Sequence, residues 1–195
     1  IKREDRRELE PTEIAIIQPS ATSLHDDLFK LLMWSNYVYN TPGQTHQVAV
    51  IPYFPGARAD RGLPFGAGEY AQFIYGTAVD EVIIFDPHSQ TIVDELNYDP
   101  EYFKVTAVYP DELLSSHIAQ IVMPISHYEG IIAPDKGAQA RSGSVAEALD
   151  LPLYTAEKTR DFETGKLTGF AIEESFPETG HYLIVDDICD GGGTF

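Results

Sequence analysis

The sequence predicts an α/β protein with a largely parallel sheet, on three observations. Five apolar runs rich in β-branched residues are each short enough to be a buried strand. Segments with helical spacing lie between them, which is the pattern of strand–helix–strand units. Charged or glycine-bearing turns follow the runs, at the strand ends where open α/β sheets gather ligands.

Taken in order, Glu13–Gln18 (EIAIIQ) is the first predicted strand. A clear helix follows, because Leu24, Leu28, Leu31 and Leu32 keep the i, i+4, i+7, i+8 spacing and Ser23 with Asp26 gives a start signal. Gln47–Ile51 (QVAVI) and Glu81–Phe85 (EVIIF) are the next strands, with a weaker helix at Gly68–Tyr75 between them. Asp94–Pro110 is polar and bounded by proline, so a division between two α/β halves is expected after it. The second half reads as a helix at Leu113–Val122, a strand at Tyr128–Ala133 (YEGIIA), a helix at Arg141–Leu149 and a strand at His181–Val185 (HYLIV). Thr155–Gly169 is polar and carries glycine, and reads as a mobile flap.

Composition narrows the function. With 195 residues, 43% hydrophobic and 11% aromatic, the chain has a core for one domain or two small ones, which excludes a disordered chain. Thirteen Lys+Arg against thirty-one Asp+Glu give a net charge of −18, which repels nucleic acid and anionic membrane surfaces. The one cysteine, Cys189, excludes a disulfide framework and a cysteine-based zinc site. No apolar run approaches the roughly 20 residues of a membrane span. Ile1–Glu10 is charged throughout, which is not how a signal peptide starts, so a soluble intracellular protein is expected. Residue 1 is Ile, and the chain stops at Phe195 after a glycine run that looks like the entrance to a helix. It therefore reads as the middle of a longer protein.

Outside the charged start, nine bases remain, and six of them form three pairs that follow predicted strands: Arg58/Arg61, Lys136/Arg141 and Lys158/Arg160. In so acidic a chain, bases at ligand-binding strand ends point to a multiply charged anion. Neutralisation of neighbouring carboxylates is the competing account.

The strongest motif is HYLIVDDICDGGGTF. An apolar strand runs into Asp186 and Asp187, whose carboxylates can accept hydrogen bonds from vicinal sugar hydroxyls or hold a hydrated Mg²⁺. Asp190, Gly191, Gly192, Gly193 and Thr194 follow, where glycine lets backbone N–H groups approach a phosphate. In IIAPDKGAQAR the turn Asp135–Lys136–Gly137–Ala138 leads toward Arg141 and could meet a metal-bound diphosphate, or be an ordinary turn with a solvated lysine. In VAVIPYFPGARADRG the loop carries Arg58, Asp60 and Arg61; guanidinium groups suit phosphate oxygens and can cover an adenine ring. An exposed Arg–Asp–Arg ion-pair cluster is the alternative there. Asp86-Pro87-His88 puts a histidine at a strand end, as a metal ligand, a proton-handling group or a structural residue.

With these pieces in chain order, the sequence resembles the ribose-phosphate pyrophosphokinases, or PRPP synthetases. The resemblance rests on IPYFPGARADR (Ile51–Arg61), Asp86-Pro87-His88, PDKGAQAR (Pro134–Arg141), Lys158-Thr159-Arg160 and DDICDGGGT (Asp186–Thr194). It implies two tandem type I phosphoribosyltransferase-like α/β domains, residues 1–110 and 111–195, both incomplete. It also implies transfer of the β,γ-diphosphoryl group of MgATP to the 1-hydroxyl of ribose 5-phosphate, giving PRPP and AMP for nucleotide and NAD biosynthesis. On that resemblance Arg58, Asp60 and Arg61 bind ATP, and His88 binds Mg²⁺ and ATP phosphate. Asp135 helps hold metal or ribose and, with Lys136, Gly137, Ala138 and Arg141, belongs to the diphosphate loop. Lys158 and Arg160, with His88, are the catalytic set; Asp186 and Asp187 hold ribose hydroxyls, and Asp190 to Thr194 the 5-phosphate. A cytoplasmic homo-oligomer, a hexamer, is implied as well, with no nucleic-acid or membrane partner.

The chain departs from the family's pattern at Lys136, often histidine; at Ala138, often a second glycine; and at the Gly191–Gly193 run, often Thr-Gly/Ala-Gly. These changes leave a divergent branch, viral ones included, and an acceptor such as ADP-ribose as alternatives. A PRPP-consuming transferase and a catalytically silent binding subunit are the others. The segment by itself is expected to fold poorly or lack activity.

Overall fold

The computed structural model describes residues 11–18, 23–43, 45–101, 103–116, 125–160, 167–172, 179–189 and 192, with backbone only at 158–160, 167, 168 and 170. The chain divides into two compact units, Ile1–Val108 and Tyr109–Phe195.

In the first unit β1 (Thr12–Ile16), β2 (His46–Ile51), β3 (Glu81–Phe85) and β4 (Lys104–Val108) form one parallel sheet in the order β1-β2-β3-β4. The helices α1 (Leu24–Asn40), α2 (Gly66–Tyr75) and α3 (Gln90–Leu96) make the crossovers. Four parallel strands in chain order with right-handed crossovers place their helices on one face. Burial agrees: Ala49, Ile51, Val82 and Ile84 are fully buried, while Val50, Ile83 and Phe85, on the opposite face, are only half-buried. α1 forms as its leucine spacing requires, burying Leu28, Leu31, Ser35 and Val38. Ser23 begins it by donating its hydroxyl to the Asp27 carboxylate rather than to a backbone amide.

Two readings of this unit are corrected. β1 is an edge strand, not a buried one, and leaves Ile14 and Ile16 62% and 71% exposed. The polar stretch Asp94–Pro110 contains the end of α3 and all of β4. Its strand was hidden because Lys104 and Thr106 are polar; both meet the Glu81 carboxylate, at 2.7 and 3.0 Å. Burial pushes the Glu81 carboxyl up, but those two donors outweigh it and hold the group below its ordinary value. Lys104 is thus a structural base.

In the second unit β5 (Gly130–Ala133) lies between β6 (Leu153–Arg160) and β8 (Tyr182–Ile184), parallel to both. β7 (Leu167–Ile172) pairs antiparallel with β6, so the order is β7-β6-β5-β8. The short α4 (Pro110–Leu114) and α5 (Gln139–Leu149) complete the unit. Its core is Ile131, Val145, Ala146 and Val185, with Leu114, Leu149, Leu151, Leu153 and Leu183 packed around it. The helix expected at Leu113–Val122 is the short α4, and residues 117–124 lie outside the described residues. The segment expected as a flap, Thr155–Gly169, carries two paired strand arms, with Lys158 opposite Phe170, and residues 161–166 between them lie outside the described residues. Alternating Thr and charged residues disguise a strand that pairs on both sides. No helix among the described residues is long and apolar enough to cross a membrane.

Candidate functional site

Candidate groups in each unit collect at the carboxyl ends of its parallel strands, where the sheet stops and successive loops diverge. In the first unit these are the loop after β2 and the turn after β3. Phe54 and Ala57 are buried and anchor the β2 loop, which turns at Gly56. Gly56 has φ +68°, and a Cβ there would lie 2.7 Å from the Tyr70 ring, so a side chain is excluded on both counts. The anchored loop exposes Arg58 and leaves the Asp60 side chain only 6% exposed. Arg61 Nε stands 3.7 Å from Asp60 Oδ1, so part of the expected Arg–Asp–Arg ion pairing is present.

The turn after β3 leaves the strand through Asp86, whose φ of +39° is unusual for a non-glycine residue and costs on the order of 1–3 kcal/mol. Its amide still donates to Val108 O at 2.9 Å, which closes the β3–β4 ladder before the chain passes through the buried Pro87 to the exposed His88. This turn and the β2 loop meet electrostatically at Asp60. The nearby Ser89 hydroxyl is the main cause that holds the Asp60 carboxyl below its ordinary value; burial opposes it, and Arg61 and His88 add to the lowering. Even so, neither Asp60 Oδ2 nor Ser89 Oγ completes a well-formed hydrogen bond, and both atoms are sealed from solvent. Asp60, Arg61 and His88 are therefore brought together, Arg58 lies on the same loop, and Ser89 joins them unforeseen. Only its place directly after His88 could have pointed to it.

The second unit assembles around β5, β6 and β8. After β5, Asp135 Oδ1 accepts from the amides of Gly137 and Ala138 at 2.8 and 3.1 Å, closing a tight turn into α5. Lys136 Nζ lies 3.0 Å from Glu157 Oε1 on β6. Asp135, Lys136, Gly137 and Glu157 line a cleft of about 230 Å³. Two larger clefts, of about 570 and 560 Å³, lie at Gln72–Tyr98 and Ser126–His181 and have no lysine or arginine among their described lining residues. Among the described lining residues the small cleft alone offers a lysine, which it already pairs with Glu157. Glu157 was missed in the sequence; the β5–β6 register, which pairs Ala133 with Thr155, brings it beside the turn.

Arg141 does not turn toward that cleft's lysine. Its Nη1 lies 3.2 Å from Asp187 Oδ1 and 3.8 Å from Asp186 Oδ1, beyond the end of β8. Burial, then the adjacent Asp187 carboxyl, push Asp186 above its ordinary value, against the pull of Arg141. Gly192 has φ +72°, a conformation that suits glycine in the expected phosphate loop. Lys158 and Arg160 are placed by backbone alone, on β6. Asp190, Gly191, Gly193 and Thr194 lie outside the described residues.

Among the described residues no group of three or more His, Cys, Asp or Glu side chains is placed to hold a metal. A Mg²⁺ that keeps its waters and takes phosphate oxygens needs only one or two protein ligands. The orphaned Asp60 Oδ2 near His88 is compatible with such a hydrated ion or a ligand hydroxyl. At Asp135, Oδ1 is already engaged by the amides of Gly137 and Ala138, so in the described structure this carboxylate serves first to close the turn.

No family model matches the chain. The fold, however, is that of a solved phosphoribosylpyrophosphate synthetase from Mycobacterium smegmatis, with a TM-score of 0.69 at 20% identity over 93% of this chain and 56% of that one. In sequence the chain is similar to ribose-phosphate pyrophosphokinases from Cereibacter sphaeroides and Parasynechococcus marenigrum, 27% identical over 192 residues, or 93% of this chain and 53% of each relative. The enzyme of Campylobacter jejuni is 26% identical over 93% of this chain and 57% of its own length. Together these likenesses support a family-level assignment to the ribose-phosphate pyrophosphokinases. The chain spans about half the length of the curated relatives it matches.

Proposed function

We propose that the protein is a ribose-phosphate diphosphokinase, transferring the β,γ-diphosphoryl group of ATP to the 1-hydroxyl of ribose 5-phosphate. The 1-hydroxyl oxygen attacks the β-phosphorus, the bond from that phosphorus to the α,β-bridging oxygen breaks, AMP leaves with that oxygen, and the hydroxyl proton passes to solvent or a nearby base. The observation that best supports this reading is in the second unit. The adjacent carboxylates of Asp186 and Asp187 lie beyond β8 and are met by Arg141 from the helix that follows the Asp135–Ala138 turn.

In this reading Asp186 and Asp187 accept hydrogen bonds from the ribose hydroxyls, and Asp190 to Thr194 bind the 5-phosphate. Arg58, Asp60 and Arg61 hold ATP. Lys158 and Arg160 stabilise the charge that develops on the transferring phosphates, the usual largest contribution in phosphoryl transfer. His88 in the first unit and Asp135 in the second are each candidate ligands for Mg²⁺, which would supply neutralisation of phosphate oxygens. The enzyme would work in the cytoplasm as a homo-oligomer.

The test is AMP release from MgATP by the full-length protein, with no acceptor, with ribose 5-phosphate and with ADP-ribose. AMP that appears only with ribose 5-phosphate is the expected result. AMP only with ADP-ribose keeps the chemistry and changes the acceptor. No AMP with either sinks the reading, and PRPP binding then separates a transferase from a silent subunit.

A further inference from the structure

Resting on that reading of function, we infer that Arg141 is a positioning residue for the acceptor carboxylates rather than a ligand of the diphosphate. It acts through Asp187, holding the carboxylate pair in the orientation that receives the ribose hydroxyls.

Several observations converge on this. The Arg141 side chain is 14% exposed and Asp187 only 7%, so the 3.2 Å contact is shielded from water and from screening ions. The contact is also fixed from the backbone. Ser142, the next residue, is fully buried and donates its hydroxyl to Val185 O at 2.9 Å, directly before Asp186. Val185 N in turn donates to Ile132 O at 3.2 Å, which ties the end of β8 to β5. The start of α5 is thereby held against the end of β8, and the guanidinium is delivered to the carboxylates by the chain itself. Asp187 N also donates to Asp186 Oδ1 at 3.0 Å, so the two carboxylates are oriented as a unit. Two adjacent, poorly solvated carboxylates repel one another, and an arginine at this distance offsets that repulsion with a directional, charge-assisted hydrogen bond. Lys136, five residues earlier, pairs instead with Glu157 and serves a different surface.

The experiment is a double-mutant cycle in the full-length protein, read as separate KM values for ribose 5-phosphate and ATP, with thermal unfolding of every variant. Arg141→Gln should raise the KM for ribose 5-phosphate about ten-fold, the worth of a hydrogen bond to a charged group, and move the KM for ATP less than about two-fold. In an Asp187→Asn background the same change should add nothing, because the residue through which it acts is gone. Arg141→Lys, which keeps the charge, should recover part of the loss and guards against a failure of Arg141→Gln to fold. Fully additive effects, or equal rises in both KM values, would mean that Arg141 meets the ligand phosphates directly and would overturn the inference. An active unaltered protein whose Arg141→Gln variant keeps its acceptor KM also overturns it, and leaves the proposed function standing. No AMP from the unaltered protein removes the function reading, and this inference with it.

Discussion

The two units treat their polar groups in opposite ways. Among the described side chains and amides of the second, groups that could meet an anion have partners within the chain: Lys136 has Glu157, Arg141 has Asp187, and the amides of Gly137 and Ala138 have Asp135. In the first, Asp60 Oδ2 is buried with no hydrogen bond, an omission worth about 1–3 kcal/mol. The second unit must exchange internal partners for ligand, whereas the first stands to gain a partner when one arrives. Such internal pairing is also how a chain of net charge −18 could keep cations near the proposed polyanion site without exposing a large basic patch.

The largest expected effect concerns the transferring groups. Lys158→Ala should lower kcat by roughly 10³-fold while the KM for ATP stays nearly constant, as for an interaction made mainly in the transition state. A fully active Lys158→Ala protein would remove the catalytic role of β6. Asp187→Asn comes next, with an acceptor KM raised about ten- to hundred-fold, whereas Asp60→Asn should raise the KM for ATP alone. If both substitutions weakened the same ligand, the assignment of one ligand to each unit would be broken.

Acid stability sharpens the contrast because the two carboxyl groups are displaced in opposite directions. Asp60 is held below its ordinary value of 3.8, so its contribution to stability is present above that value and is lost as pH falls through the lower folded one. Asp186 is raised above 3.8, so its contribution is present below 3.8 and is lost as pH rises through the folded value. Relative to the unaltered protein, Asp60→Asn should therefore look least stable at neutral pH, and Asp186→Asn should look most stable there. Melting temperatures of both variants between pH 3 and 7 decide this; shifts of the same sign would contradict it. The smallest effect is expected at Glu157→Gln. An exposed pair is worth about 0–1 kcal/mol, so the melting temperature should scarcely move while the affinity for free diphosphate rises up to about five-fold. Calorimetric titration would read that rise, and a loss of affinity would show that Glu157 helps rather than competes.

Much of the fold was legible before any coordinates. Glu81–Phe85 is a strand with the expected bounds, and α1 follows from its leucine spacing. What periodicity could not reveal were strands with polar faces. Lys104–Val108 hides behind groups that satisfy Glu81, and Leu153–Arg160 behind alternating threonines and charges that pair with β7. The strand-end motifs also stood out, since apolar runs that stop at Asp-Asp or at Asp-Pro-His are conspicuous along the chain.

The sequence by itself thus determined that Asp86, Asp135 and Asp186 follow strand ends, because backbone period and side-chain polarity are local properties. Partner choice was another matter. That Arg141 turns to Asp187 while Lys136 turns to Glu157, and that Asp60 is sealed beside Ser89 with one oxygen unmatched, depend on register and helix placement between segments as far as 46 residues apart. Only the tertiary structure decided these, because the strength of a charge pair is set by distance and exclusion of water, which no local pattern encodes.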